Sequence, residues 1–102
     1  MGNSAVVRID ERTDRPVARL RIAGLPVAAA AGTRGLWLLA SHRLIRIDAS
    51  TNRIDGETRV PSPTTSVAVG AGSVWLGTAE RVPRVLRVDP RTLELHAFAR
   101  LL

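Results

Sequence analysis

The sequence contains no cysteine and no tyrosine, and its aromatic residues are two tryptophans and one phenylalanine. Without cysteine there is no disulfide, no cysteine-based metal site and no thiol nucleophile. Three aromatic side chains provide a poor platform for stacking nucleic-acid bases. No apolar run approaches the roughly 20 residues of a membrane-spanning helix, so we expect no membrane insertion. Residues 1–8 lack a basic start followed by an apolar core, so no signal peptide is predicted.

Lysine is also absent, and all 15 basic residues are arginines, which gives a net charge of +6. Arginine without lysine, alongside abundant alanine and glycine, is more typical of a GC-rich genome than of a binding function. Positive charge does favour anionic partners such as nucleic acid. The arginines, however, alternate with apolar residues in every repeat and are mixed with Asp and Glu. We therefore expect solvated strand faces, and binding of an anion or nucleic acid through arginine is only the third hypothesis.

The chain repeats itself at intervals of 38 and 41 residues. The repeated tripeptides, each with a basic, an apolar and an acidic residue, are Arg8-Ile9-Asp10, Arg46-Ile47-Asp48 and Arg87-Val88-Asp89. A second motif places Trp37 and Trp75 at equivalent positions, 38 residues apart. A period of this size, with short apolar runs between turn residues, indicates the blades of a β-propeller.

Alternation of apolar and polar residues with a period of two predicts strands rather than helices. Two complete units are expected at about residues 26–60 and 64–102, and a half unit at about 5–22. The predicted strands are residues 5–10, 15–22, 28–31, 35–40, 43–48, 53–60, 66–69, 73–78, 84–89 and 93–101. The predicted fold is therefore all-β, with about two and a half four-stranded antiparallel blades in a single partial-propeller domain, 1–102.

Two segments carry a resemblance to a known type of repeat. Residues 67–76 (VAVGAGSVWL), followed by 86–92 (LRVDPRT), resemble the repeat of bacterial YVTN-type and NHL-like β-propellers, which also occurs in virginiamycin B lyase (streptogramin lyase). The middle unit matches through residues 35–38 and 46–52, and the likeness covers about residues 5–102. The lyase resemblance implies a His and Glu pair with a divalent metal near the channel. No residues here match that motif, so no catalytic residue is predicted.

The repeated Asp and Trp residues are predicted to be structural. Asp10, Asp48 and Asp89 each precede a turn, where a carboxylate accepts hydrogen bonds from backbone amides two or three residues on. One carboxylate per blade is too sparse for the oxygen cage of a hard cation, so no metal site is expected. Trp37 and Trp75 are predicted to pack between adjacent blades, because a buried indole contributes a large contact area.

Ten predicted strands are too few for the roughly four to eight blades of a closed propeller. An open arc exposes apolar blade faces and unpaired strand edges. We expect a piece of a longer propeller, or a chain whose missing strands come from elsewhere. The alternative is a small self-contained β-sheet protein. On the first interpretation we predict self-association through the open blade faces.

The inventory of catalytic side chains is small, and the only two histidines, His42 and His96, occupy non-equivalent places in the repeat. The leading hypothesis is a non-enzymatic binding or scaffold module without a cofactor, whose protein or small-molecule partner contacts loops at one rim of the blades. The candidate binding residues, in or directly beside the loops between second and third strands, are Ser41, His42, Glu80, Arg81, Pro83 and Arg84. The alternative is a fragment of a streptogramin-lyase-like enzyme. Relatives of this type are often extracytoplasmic, but the compartment of this chain is not predicted.

Overall fold

The computed structural model describes residues 3–10, 12–23, 26–32, 35–40, 42–61 and 63–100. These residues form strands, turns and irregular connections, and none of them belongs to a helix that could cross a membrane. The strands are β1 (Asn3–Asp10), β2 (Arg15–Ala23), β3 (Pro26–Gly32), β4 (Gly35–Ala40), β5 (Arg43–Asp48), β6 (Arg53–Arg59), β7 (Thr64–Gly70), β8 (Ser73–Thr78), β9 (Arg84–Val88) and β10 (Leu95–Arg100). The predicted all-β class is confirmed.

Within each sheet, every strand pairs with the strand next to it in the chain, and every pairing is antiparallel. The strands β1 and β2 form a two-stranded hairpin, which we call the first hairpin. The order β3-β4-β5-β6 forms a four-stranded middle sheet, and β7-β8-β9-β10 forms a four-stranded last sheet. The predicted grouping of two, four and four strands is therefore confirmed. The described sheets do not close into a ring.

Strands β4, β5 and β8 begin and end at the residues predicted from the alternation. The prediction was wrong for the start of β10, which begins at Leu95 and not at residue 93. Leu93 has a φ of 64°, and its amide donates to the Asp89 carbonyl at 2.8 Å. Leu93 therefore closes the turn before the strand starts. The first strands of the two units are longer than predicted, because the β3–β4 and β7–β8 ladders continue to the hairpin ends at Gly32 and Gly70 and, past a register shift, to Pro26 and Thr64.

The repeat is visible in backbone geometry as well as in sequence. Asp14, Asn52 and Leu93 follow the three equivalent turns, and each has a positive φ of 57°, 58° and 64° respectively. Residues with side chains adopt this conformation uncommonly, so its recurrence marks one turn type used three times. The β3–β4 and β7–β8 ladders also share a register shift, between Pro26 and Ala28 and between Thr64 and Ser66.

The middle sheet is packed on both faces. Its Trp37, Leu39 and Leu44, together with Val60 just after β6, form one core cluster with residues of the last sheet: Val74, Leu76, Leu86 and Val88. Its opposite face, with Leu38, Ala40, Ile45 and Ile47, packs against Ile22 of the first hairpin. Burial of each large aliphatic side chain contributes about 1.5–3 kcal/mol. The three sheets are thus held to one another mainly by side chains.

The middle and last sheets approach most closely at β3 and β7. A Cβ atom placed on Gly32 would lie 2.7 Å from Cγ1 of Val69. Such a distance is shorter than any ordinary carbon contact, so a glycine is required where the two strands touch. The small side chains of β3 permit this approach.

Candidate functional site

The β4–β5 and β8–β9 loops, which the sequence analysis predicted to form a rim, lie at one end of the sheets beside the β6–β7 connection. The Val60 amide donates to the His42 carbonyl at 2.8 Å, which joins the β6–β7 connection to the β4–β5 loop. The Ala79 amide donates to the Pro63 carbonyl at 2.8 Å, which joins the same connection to the β8–β9 loop. We call this row of three loops the rim. His42 is exposed there, whereas Ser41 lies outside the described residues.

The β8–β9 loop is held by a compact polar network. The Arg84 guanidinium donates to both carboxylate oxygens of Glu80, at 2.7 and 3.1 Å. The Thr78 hydroxyl donates to Glu80 at 2.9 Å and accepts the Arg84 amide at 2.9 Å. The hydrogen bond from Arg84 to Glu80, and then the negative charge of Glu80, raise the pKa of Arg84. The two charged residues therefore fix the loop and neutralise each other.

This loop borders an open surface cavity of about 390 Å³ lined by Glu80, Arg81, Val82 and Arg84. Arg81 is exposed, and it forms no side-chain hydrogen bond or ion pair with the described residues. Val82 is partly buried and gives the cavity an apolar contact beside that cation. The arrangement suits an anionic group that carries apolar surface.

The structure brings together three of the six predicted site residues: Glu80, Arg81 and Arg84 line the same cavity. Pro83 belongs to the same loop, and His42 lies on the β4–β5 loop, beyond the β6–β7 connection, without lining the cavity. Sequence reasoning missed Thr78, whose hydroxyl links Glu80 to the Arg84 backbone. The sequence repeat did not point to Thr78, because the equivalent residue of the middle sheet is Ala40.

Asp48 and Asp89 organise the turns at the opposite ends of the strands, as predicted, whereas the side chain of Asp10 lies outside the described part of the chain. Asp48 accepts the amides of Ser50 and Thr51 at 2.7 and 3.2 Å and the Ser50 hydroxyl at 2.6 Å. The Ser50 hydroxyl, followed by these amides, holds the pKa of Asp48 below its usual value.

Asp89 accepts the Arg91 amide at 2.8 Å and the Thr92 amide at 3.3 Å. The Arg91 amide makes the largest contribution to a lowered pKa of Asp89. Asp48 and Asp89 therefore act as turn acceptors in the structure.

A row of four residues crosses the middle sheet, one on each strand: Ala30, Trp37, Arg46 and Gly56. Trp37 is 1% exposed, and the Arg46 guanidinium carbon lies 5.8 Å from the centre of its ring. Arg46 also donates to Asp55 at 2.6 Å and to the Pro90 carbonyl of the last sheet at 2.6 Å. This row is therefore covered by the β9–β10 turn.

The equivalent row of the last sheet consists of Ala68, Trp75, Arg87 and His96. We call the side of the last sheet that carries it the terminal face. Trp75 is partly exposed and donates its indole N–H to the Gly70 carbonyl at 2.9 Å. Arg87 and His96 are exposed and line a cavity of about 170 Å³ together with Gly72, Ser73, Asp89 and Pro90. Trp75 is more exposed than Trp37, which lies between the middle and last sheets.

Among the described residues, no group of three or more His, Cys, Asp or Glu side chains is arranged to hold a metal ion. Comparison of the chain with models of known protein families and with curated protein sequences gives no match.

Proposed function

We propose that this chain is a non-enzymatic binding module built from β-propeller blades, and that its rim contacts a partner protein. Two features support the blade interpretation. Each complete unit is a four-stranded antiparallel sheet in chain order, and the middle sheet packs face to face on the last sheet. The recurrent turn geometry at Asp14, Asn52 and Leu93 supports a YVTN-type or NHL-like repeat.

The observation that carries the binding role is the contrast between the two ends of the sheets. At one end the Asp-containing turns keep the same length and backbone conformation. At the rim, the β8–β9 loop is three residues longer than the β4–β5 loop, and it adds the cavity beside Arg81. Rigid strands that display loops of differing length and charge are typical of binding surfaces.

The chemistry of the rim favours a protein segment with a carboxylate beside an apolar side chain. A guanidinium can bind a carboxylate through two parallel hydrogen bonds, and Arg81 is the exposed guanidinium here. Val82 would contact the apolar part of the segment. The Glu80 carboxylate is already held by Arg84, so its charge opposes an acidic partner less than an unpaired carboxylate would.

Ion pairs also make a nucleic-acid partner less favourable than a protein. Arg43 pairs with Glu57, Arg46 with Asp55 and Arg84 with Glu80. These pairs reduce the positive potential that attracts a phosphate backbone. The lyase alternative rests on the sequence resemblance alone.

Panning a phage-displayed random peptide library against the immobilised protein would test the rim. We expect enriched peptides to carry Asp or Glu beside an apolar residue, and to lose at least about tenfold in affinity for Arg81→Ala. Arg53→Ala, at an exposed position of β6 away from the rim, is the control. Peptides that bind Arg81→Ala and Arg53→Ala equally well would place the binding surface elsewhere. Failure to enrich any peptide would remove the peptide-binding role.

A further inference from the structure

A small polar cavity lies at the end of the last sheet opposite the rim, between the β7–β8 and β9–β10 turns. Its volume is about 170 Å³, and the residues that line it are Gly72, Ser73, Arg87, Asp89, Pro90 and His96. We call it the turn cavity. Pockets for drug-sized ligands measure about 300–1,000 Å³, so this space suits a molecule of only a few non-hydrogen atoms.

Arg87 lacks the carboxylate that neutralises its counterpart in the middle sheet. Arg46 forms an ion pair with Asp55, which a register shift inserts into β6 as an extra residue. The β9–β10 ladder has no shift at that point, and Arg87 lies opposite His96. Arg87 is exposed, and no described residue forms a side-chain hydrogen bond or an ion pair with it. Within the described part of the chain, the turn cavity therefore contains an unpaired guanidinium.

Asp89 supplies a negative charge to the same cavity. Its Oδ1 accepts the amides of Arg91 and Thr92, whereas its Oδ2 accepts no hydrogen bond from the described residues. The Arg91 amide contributes most to the lowered pKa of Asp89, so the carboxylate is ionised at neutral pH, and the charge of His96 makes the last contribution. The imidazole therefore lies near this carboxylate. The cavity thus presents one free carboxylate oxygen as well as one free guanidinium.

These two charges match a small zwitterion better than a simple ion. A simple anion would be attracted by Arg87 but repelled by Asp89, and a simple cation would meet the reverse. A guanidinium can hold a carboxylate through two parallel hydrogen bonds, and a carboxylate oxygen accepts hydrogen bonds from an ammonium group. The Ser73 hydroxyl and the His96 imidazole are further hydrogen-bonding groups at the cavity wall.

We propose that the turn cavity binds a free α-amino acid with a small side chain, whose carboxylate contacts Arg87 and whose ammonium group contacts Asp89. An α-amino acid carries both charged groups on one carbon, which suits a cavity of this size. A peptide carries them only at its opposite ends, so the ligand is the free amino acid. Exposed ion pairs contribute little free energy, and we therefore expect affinity in the millimolar range. This site is separate from the rim and from the peptide-binding role proposed there.

The test is an NMR titration of the isotope-labelled protein with glycine at constant ionic strength and neutral pH. We expect saturable shifts of the backbone amides that border the cavity, at Gly72, Ser73 and His96. Acetate and methylamine each carry only one of the two charges, and each should bind at least about tenfold more weakly than glycine. Acetate that binds as tightly as glycine would overturn the proposal, because the site would then be one for simple anions. The absence of saturable shifts with glycine would also overturn it.

Two variants remove one charge each. Arg87→Gln and Asp89→Asn should each weaken glycine binding more than about tenfold, and the asparagine keeps an oxygen that accepts the turn amides. Arg53→Gln makes the same change as Arg87→Gln at an exposed position outside the cavity and should bind glycine like the unmodified chain. If circular dichroism shows that Asp89→Asn has unfolded, the exposed Arg87→Gln still decides. Glycine binding that survives in Arg87→Gln would overturn the proposal. Arg81→Ala should leave glycine binding unchanged, which separates this site from the rim.

Discussion

The middle sheet and the last sheet share strand order and a Trp–Arg row, but their surroundings differ. Trp37 is 1% exposed beneath the last sheet, whereas its counterpart Trp75 is partly exposed on the terminal face. A Cβ atom on Gly32 would collide with Val69, whereas one on the equivalent Gly70 would meet no atom within 4 Å. Burial in a repeat protein is therefore set by whether the next unit is present, because each unit contacts only its neighbours. Equivalent residues should consequently differ in their contribution to stability.

The largest expected difference in stability is between the alanine variants of the two tryptophans. Trp37→Ala removes a buried indole from the core and should lower the free energy of unfolding by about 3–5 kcal/mol. Trp75→Ala should lower it by less than about 1.5 kcal/mol, because its ring is already partly in water. Urea unfolding of both variants, monitored by circular dichroism at a concentration where the chain is monomeric, measures the two free energies of unfolding.

Equal losses for the two tryptophans would mean that the terminal face is covered in the monomer, which contradicts the packing described. A transition with an altered dependence on urea in only one variant would show that the middle and last sheets unfold separately.

A smaller difference in stability is expected between the alanine variants of Gly32 and Gly70. Gly32→Ala places a methyl group against Cγ1 of Val69 and should cost about 1–3 kcal/mol of stability by overpacking. Gly70→Ala should be neutral or stabilise by up to about 1 kcal/mol, since it restricts the unfolded chain without a clash. Thermal unfolding of the Gly32→Ala and Gly70→Ala variants measures the two changes in stability. Equal effects would contradict the close approach of β3 and β7.

The smallest expected effect is the contribution of the Asp-containing turns to stability, and this contribution depends on pH. Hydrogen bonds hold the pKa of Asp48 and Asp89 in the folded chain below the values expected when it is unfolded. Their stabilisation is therefore complete above the usual aspartate pKa and is lost as pH falls through the folded pKa. Asp48→Ala should destabilise the chain at pH 7, and the difference from the unmodified chain should shrink toward pH 3.

Ser50→Ala keeps the Asp48 carboxylate but removes the hydroxyl that contributes most to its lowered pKa. Its loss of stability should be smaller than that of Asp48→Ala and should fade over the same range of pH. Urea unfolding at several pH values compares the two variants. A pH-independent loss in both would show that these turns are stabilised by something other than the ionised carboxylate.

Strand positions and turn chemistry could be predicted because they depend on residues close together in sequence. The alternation defined β4, β5 and β8, and the spacing of Asp48 from Ser50 and Thr51 indicated the hydrogen bonds of its turn. The rim loops could be assigned by equivalence between repeats. The Thr78 network and the contact of Arg46 with Pro90 could not be predicted. They depend on the path of one loop and on the distance between two sheets, which no periodicity encodes.

The pairing of each strand only with its neighbour along the chain has a consequence for how the molecule forms. Every described ladder is a hairpin, so all backbone pairing is local in sequence. Closing a short hairpin loop costs less entropy than bringing distant strands together. Each sheet can therefore nucleate on its own and then dock through its side chains, in the manner of a one-dimensional array. A repeat could accordingly be added or lost by the chain without any change of hydrogen-bonding partner in the sheets that remain.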